Sequence, residues 1–353
     1  MSIKRVLPLE YTIIKSNFME LKKPYKLNFA ITYRCQSKCL TCNIWKKTPQ
    51  NELTLEEIRN FAKKNNYFKW IELTGGEVFL RNDLVEIVEA FNTYSPLYIL
   101  TMPTNSLTNH DIIIDKLISI LKLGISKIAI TVSLDGYREL HDKIRGIPGN
   151  YDKAIDLYKR LIELKKIYKN LYFVFGYTIS AYNIGKFEET INAVKKEIPQ
   201  ITYNDFHFNL AQISDNYYGN AQNAVNIKAN DRIIADEIYS AIKKRKFEFG
   251  AMSIIERAFL KGLYQFVITK KVPVKSRSLE ASIFLDSFGD VYPSIMVNNK
   301  LGNIRETQYY LDPILQSEEA QIIRKSIKES KIATDWTACE AYQALVGDIK
   351  KII

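Results

Sequence analysis

The chain has 353 residues, 46% of them hydrophobic, four cysteines and a formal net charge of +11. That suits one barrel-sized domain plus an appendage, and it excludes a disulfide-stapled module; no apolar run is long enough to span a bilayer and no signal-peptide h-region opens the chain. The expected setting is the reducing cytoplasm, and the lysines, interspersed with Glu and Asp, read as a solvated surface in preference to a nucleic-acid, lipid-headgroup or phosphate-binding face.

Residues 1–24 are short, basic and weakly patterned, an N-terminal extension over the rest. Leu27-Asn28-Phe29-Ala30-Ile31-Thr32 reads as a strand. The loop after it places Cys35, Cys39 and Cys42 within eight residues, in a chain whose fourth cysteine is Cys339. So tight a thiolate triplet points to one metal centre. Zinc usually shows two ligand pairs, and the nearest His is His110. Iron–sulfur cubes take thiolates at their irons, and three local cysteines would leave one iron open.

Thr54-Leu55-Glu56-Glu57 is a capping box that opens a helix towards Asn65. Phe68–Leu73 is a strand ending in Thr74-Gly75-Gly76-Glu77, and Asp83 caps a helix through Phe91. The alternation continues with a strand over 97–102, a helix over 111–121, a strand over 127–134 closed by Asp135-Gly136, and a helix over 151–165. A strand over 171–179, a helix over 184–196 and a strand over 205–210 follow. About six strand–helix units at this spacing predict a parallel sheet. Beyond them come helices over 230–244 and 251–268, the second expected to pack as core. A hairpin around Ser287-Phe288-Gly289-Asp290, a helix over 313–326 and a helix from Glu340 to the end complete the chain.

Cys-x3-Cys-x2-Cys after a first strand resembles the signature of the radical S-adenosylmethionine (radical SAM) enzymes. The resemblance implies an α/β fold, a partial (β/α)6 TIM-like barrel. It implies a [4Fe–4S] cluster on Cys35, Cys39 and Cys42, with S-adenosyl-L-methionine (SAM) on the open iron. Cleavage of SAM to a 5′-deoxyadenosyl radical and hydrogen abstraction from a substrate would follow. Gly75-Gly76-Glu77 falls where the family binds the SAM amino group; Gly75 and Gly76 would allow close approach and Glu77 would accept from the ammonium. Ser133-Leu134-Asp135-Gly136, His141-Asp142 and Arg145-Gly146 resemble a run of the subfamily with a SPASM or twitch extension. That run implies SAM contacts from Ser133 and Arg145, whereas His141 reads as a helix-end histidine. Thr104 and Asn105 fall beside SAM, although Ser106 stands where the family often has Gly. Asn183 matches a family asparagine. His207, Asn209 and Gln212 are candidates for substrate contact, with His207 better read as a core residue.

The C-terminal region resembles a SPASM/twitch-like α+β cap, with a departure. Ser294 replaces the cysteine expected after Tyr292-Pro293, and Asp335 and Cys339 are the remnant of a later cysteine cluster. One cysteine cannot hold a second cube, so the cap is expected to lack auxiliary-cluster ligands and Cys339 to be an ordinary buried thiol. The boundaries read as 1–24, 25–228 for the core and 229–353 for the cap. The implied partners are an electron donor such as ferredoxin or flavodoxin and a small-molecule or lipid substrate, with peripheral membrane contact open and no specific nucleic acid. A maturase of a ribosomally made peptide is the nearer alternative; a non-enzymatic metal or nucleic-acid binder is the distant one.

Overall fold

The computed structural model describes residues 3–332 and 334–351; the last two residues of the helix expected to run to the C-terminus lie outside the described residues. Strands β1 (Lys26–Thr32), β2 (Trp70–Gly75), β3 (Ile99–Thr104), β4 (Lys127–Ser133), β5 (Leu171–Ile179) and β6 (Phe206–Leu210) pair in parallel, each with its successor. They alternate with α2 (Leu55–Lys64), α3 (Leu84–Tyr94), α4 (His110–Lys122), α5 (Glu139–Arg145), α6 (Asn150–Ile167) and α7 (Phe187–Glu197). β1 is buried along its whole length, as expected of a strand covered on both faces. The expected capping box is present: Thr54 N–H donates to Glu57 Oε2 (2.9 Å) and Glu57 N–H to Thr54 Oγ1 (3.3 Å).

The sequence reading assigns no helix over 3–16, 139–145 or 224–227. Residues 3–16 form α1 (Ile3–Ser16), whose Leu9 packs with Trp70, Tyr98 and Ile99 under the N-terminal ends of the strands. Residues 139–145, to which the sequence reading gives no element beyond a helix-end reading of His141, form α5.

The cap runs through α8 (Ala224–Ile227), α9 (Asp231–Lys244), α10 (Ala251–Thr269), β7 (Ser282–Leu285), β8 (Asp290–Tyr292) and β9 (Gly302–Asn303). It ends with α11 (Asp312–Leu315), α12 (Glu318–Lys328) and α13 (Ala338–Val346). The single helix expected over 313–326 is thus two, because Ser317 caps α12 by accepting from Ala320 N–H (3.2 Å). The expected hairpin is β7–β8, but it is not separate from the barrel. β7 pairs in parallel with β1, giving one nine-stranded sheet in the order β6-β5-β4-β3-β2-β1-β7-β8-β9, with β8 and β9 antiparallel. The sheet stays open, and α10 and α13 pack beside it. Among the described residues no helix is long and apolar enough to cross a membrane.

Within the cap, α10 is locked to the segment ahead of α13 at Gly262. A Cβ on Gly262 would lie 2.5 Å from Cζ2 of Trp336, and Trp336 Nε1–H donates to Phe259 O at 2.9 Å. Gly262→Ala should therefore destabilise by about 1–3 kcal/mol through overpacking, and Trp336→Ala by about 3–5 kcal/mol through a cavity. Because the two share one contact, urea unfolding of the double variant should show less than the sum.

Candidate functional site

The three clustered cysteines sit on a loop that carries little regular structure and is fixed by its neighbours. Gly76 N–H donates to Thr32 O and Glu77 N–H to Arg34 O, both at 2.8 Å. Lys38 N–H and Leu40 N–H donate to Arg145 O and Ile144 O at 2.9 Å. Asn220 Nδ2 donates to Thr41 O at 2.8 Å. Glycine is required at the Gly75–Gly76 turn for a reason beyond ligand approach: a Cβ on Gly75 would lie 2.0 Å from Thr32 O, and one on Gly76 2.1 Å from Arg34 O. Tyr217, which the sequence reading did not single out, holds that turn by accepting from Gly75 N–H (3.1 Å) and sharing a 2.6 Å bond with Thr74 Oγ1.

Each sulfur has a donor beside it. Asn105 Nδ2 lies 3.6 Å from Cys35 Sγ, Arg145 Nη1 3.8 Å from Cys39 Sγ, and Ile44 N–H 3.4 Å from Cys42 Sγ. Such donors stabilise negative charge on sulfur. Burial, then the neighbouring Cys39, pushes the Cys35 thiol up to about 11 and the Cys42 thiol to about 12; coordination to a metal would deprotonate both. Among the described residues no three His, Cys, Asp or Glu side chains are gathered to hold one metal ion. A single zinc needs all its sulfurs about 2.3 Å from one point, whereas a cube offers a separate iron to each thiolate. The donor set fits a cube.

The thiols stand at one end of a cavity of about 790 Å3. Gly75, Gly76, Thr104, Asn105, Ser133 and Arg145 line it with them. Glu77 does not: its buried carboxylate accepts from Asn105 N–H (2.7 Å), Phe79 N–H (3.2 Å) and Thr104 Oγ1 (3.1 Å). Burial raises it to about 7 against those bonds. Its place is behind the Thr104–Asn105 turn, where it orients residues that face the cavity. Ser106 keeps the turn without glycine, at φ +64°.

Arg145 bridges Cys39 and the buried Asp135 (2.7 Å). His141 accepts from Asp135 N–H through Nδ1 at 3.0 Å, and burial holds its pKa down at about 3, so it is a neutral structural histidine. Asn183 is fully buried and ties the ends of β4 and β5, donating to Asp135 O and Thr178 O at 2.9 Å; it does not reach the cavity.

Midway along the lumen is a polar wall that the sequence did not reveal as a group. Buried Lys26 meets Glu72 at 3.0 Å, and Cys339 Sγ donates to Glu72 Oε1 at 3.1 Å. Cys339 is half-buried and lines the cavity, while Asp335 lies in a separate small pocket and Ser294 Oγ accepts from Met296 N–H. His207 Nδ1 lies 3.0 Å from Glu256, which also accepts from Tyr342 and faces Arg245 at 3.5 Å. His207, Asn209 and Gln212 all line the cavity, so His207 is both a packed residue, stacked on Phe259, and a wall residue. A glutamate within the otherwise apolar run Trp70-Ile71-Glu72-Leu73 was the one available signal for Glu72; Glu256, on a helix, gave none.

Comparison with known proteins agrees with this geometry. Residues 29–197 match the model of the Radical SAM superfamily. The chain is 32% identical over 144 residues to the probable GTP 3′,8-cyclase of Methanocaldococcus jannaschii, covering 39% of this chain and 45% of that protein. It is 32% identical over 143 residues to Fe-coproporphyrin III synthase of Methanosarcina barkeri, covering 39% and 34%. These matches span less than half the length of either relative. The fold is shared with native anSMEcpe with bound AdoMet (16% identity, 85% of this chain and 82% of that one, TM-score 0.58). It is shared also with Streptococcus suis SuiB bound to S-adenosylmethionine (17%, 89% and 70%, TM-score 0.55). Residues 29–197 are thus a radical SAM domain, and the cofactors of that superfamily are a [4Fe–4S] cluster and SAM.

The polar wall has a pH signature. Burial pushes the Glu256 carboxyl up, but His207, Arg245 and Tyr342 outweigh it and hold it at about 2, below its ordinary 4.5. Between those values the unfolded chain binds the extra proton, so the stabilisation is complete above pH 4.5 and is lost as pH falls towards 2. Urea unfolding across that window should show a smaller loss of stability in Glu256→Gln than in wild type; equal losses would contradict the assignment.

Proposed function

We propose that this radical SAM enzyme uses Cys35, Cys39 and Cys42 to hold a single [4Fe–4S] cluster at the mouth of the lumen, cleaves SAM there, and abstracts hydrogen from a small-molecule or lipid substrate inside it. The observation that carries the reading is the convergence of three thiols, each with its own donor, on one end of a cavity of about 790 Å3. When bound, the cluster and SAM supply a 5′-deoxyadenosyl radical able to take hydrogen from unactivated carbon.

The chain's own residues do the rest. The Gly75–Gly76 backbone, Thr104, Asn105, Ser133 and Arg145 face the space beside the thiols and would bind and orient SAM there. Arg145, held by Asp135, keeps a fixed positive charge next to Cys39 and lies where a carboxylate would be bound. The walls of β2–β6 exclude water from the reacting atoms. An external electron donor such as ferredoxin or flavodoxin is required. A ribosomally made peptide is the second substrate reading: the same fold occurs in SuiB bound to its precursor peptide SuiA, at 16% identity.

Anaerobic reconstitution should give about four iron per chain. The Cys35→Ala/Cys39→Ala/Cys42→Ala variant should bind almost none, and Cys339→Ser should keep the wild-type amount. About eight iron, or loss of a cluster's worth in Cys339→Ser, would show ligands in the cap.

Glu77→Ala should retain iron, since no thiol is touched, yet lower SAM affinity and 5′-deoxyadenosine formation. It leaves Asn105 N–H without its acceptor, at a cost of about 1–3 kcal/mol, so the Thr104–Asn105 turn loses its hold. Wild-type SAM affinity in this variant would remove the turn from the SAM site. Failure of wild type to form 5′-deoxyadenosine with dithionite would remove the radical reading itself.

A further inference from the structure

The lumen has a second end. Trp70, Ile99, Lys127 and Tyr172 line it at the starts of β2, β3, β4 and β5. It therefore runs the length of the strands, about 20 Å at roughly 3.3 Å per residue, away from the thiols. The rim at this end is the segment Lys246–Gly250, between α9 and α10, together with the first residues of α10. Asn204, just ahead of β6, pins it. Its Nδ2 donates to Lys246 O (3.0 Å) and Glu248 Oε1 (2.7 Å), and its Oδ1 accepts from Lys246 N–H (3.1 Å).

This pinned segment presents aromatic surface to solvent. Phe249 is 96% exposed and Phe247 57%, their rings edge-on at 5.0 Å. Met252 and Ile254, in the first turn of α10, are exposed as well, whereas Phe259, Leu260 and Leu263 of the same helix are buried. A second segment adds to the same end of the barrel. α1 covers it through Leu9 and leaves Tyr11 and Ile14 exposed, and Phe18 and Met19 follow, also exposed. Single exposed apolar side chains are ordinary, but clusters at the mouth of a largely apolar cavity are not.

The charges there are complementary to one kind of surface. Lys15, Lys243 and Lys246 are exposed and in no ion pair among the described residues. Of the nearby carboxylates, Glu20 is paired with Lys328, Glu248 accepts from Asn204, and Glu10 faces Lys127. Aromatic rings among lysines in no ion pair, with Lys243 over the Tyr239 ring, suit the boundary of an anionic bilayer, where rings sit at headgroup depth and ammonium groups meet phosphate.

We propose that this end of the barrel docks on an anionic phospholipid surface through Phe247, Phe249 and the lysines beside them, so that a lipid substrate passes from the membrane into the lumen. The proposal rests on the lipid reading above and deepens it. The test is co-sedimentation of the cluster-loaded full chain with vesicles of phosphatidylcholine, with and without phosphatidylglycerol. Binding is expected to the anionic vesicles and to be about tenfold weaker to the neutral ones. Phe247→Ser/Phe249→Ser and Lys243→Glu/Lys246→Glu should each weaken it by about tenfold. All four positions are exposed, and iron content with circular dichroism confirms that each variant is folded. No binding to either vesicle overturns the proposal. So does wild-type binding by the phenylalanine variant, which would leave charge alone as the contact. So does a phenylalanine variant impaired only in turnover of a water-soluble peptide, with vesicle binding intact. Dithionite-driven SAM cleavage, followed in parallel without vesicles, reports on the radical reading separately, so either can fail while the other stands.

Discussion

Gly75 and Gly76 lie where two backbones touch, and the site depends on that contact. The turn after β2 rests on the start of the cysteine loop so closely that a methyl group at either position would overlap a carbonyl oxygen of Thr32 or Arg34. The loop has little regular structure to hold its shape, so its geometry is borrowed: from this turn, from the end of α5, and from Asn220 beyond β6. Tyr217 closes the arrangement from the other side by bonding both the N–H and the carbonyl of Gly75. Three distant parts of the chain thereby fix where three sulfurs stand, which is what a rigid polynuclear ligand demands.

The arrangement separates residues that face the cavity from residues that hold them. Thr104, Asn105 and Arg145 face it; Glu77 and Asp135 stand behind, buried, each spending its oxygens on backbone N–H groups or a neighbouring side chain. A carboxylate without such partners would be costly at that depth. The lumen wall follows the same rule. Lys26 is completely buried and is engaged by Glu72, Cys339 O and Gln343 Oε1, with its ammonium 4.4 Å from the Trp70 ring.

What could be read from the residues was what is local. The six parallel strands, the capping box at Thr54, the cysteine loop and the turn at Gly75 all follow from spacing and side-chain chemistry within short windows. Strand starts were read early at Phe68 and Leu97 because these buried residues continue the apolar run, although pairing begins at Trp70 and Ile99. α1 was missed because its buried side, Leu9 with Ile13 against Trp70 and Ile99, is defined only by the barrel floor beneath it. The wall of Glu72, His207, Glu256, Tyr342 and Cys339 was illegible for the same reason in stronger form. Its members come from β2, β6, α10 and α13, and no local pattern links residues so far apart. At Glu77 the motif locates the residue, whereas the N–H groups of Asn105 and Phe79 that its carboxylate accepts from are visible only in the fold.

The pairing of β7 with β1 changes what counts as a unit of this protein. The sequence suggests a core that ends near residue 228 and a cap that follows, but β1 has the cap's strand as its neighbour on one side. Cut at that boundary, the barrel would present β1, a strand buried along its whole length, as a bare edge with unpaired N–H and carbonyl groups. Such an edge recruits other chains. The cap therefore serves as the barrel's protection against aggregation, and during synthesis β1 waits for β7 to cover it.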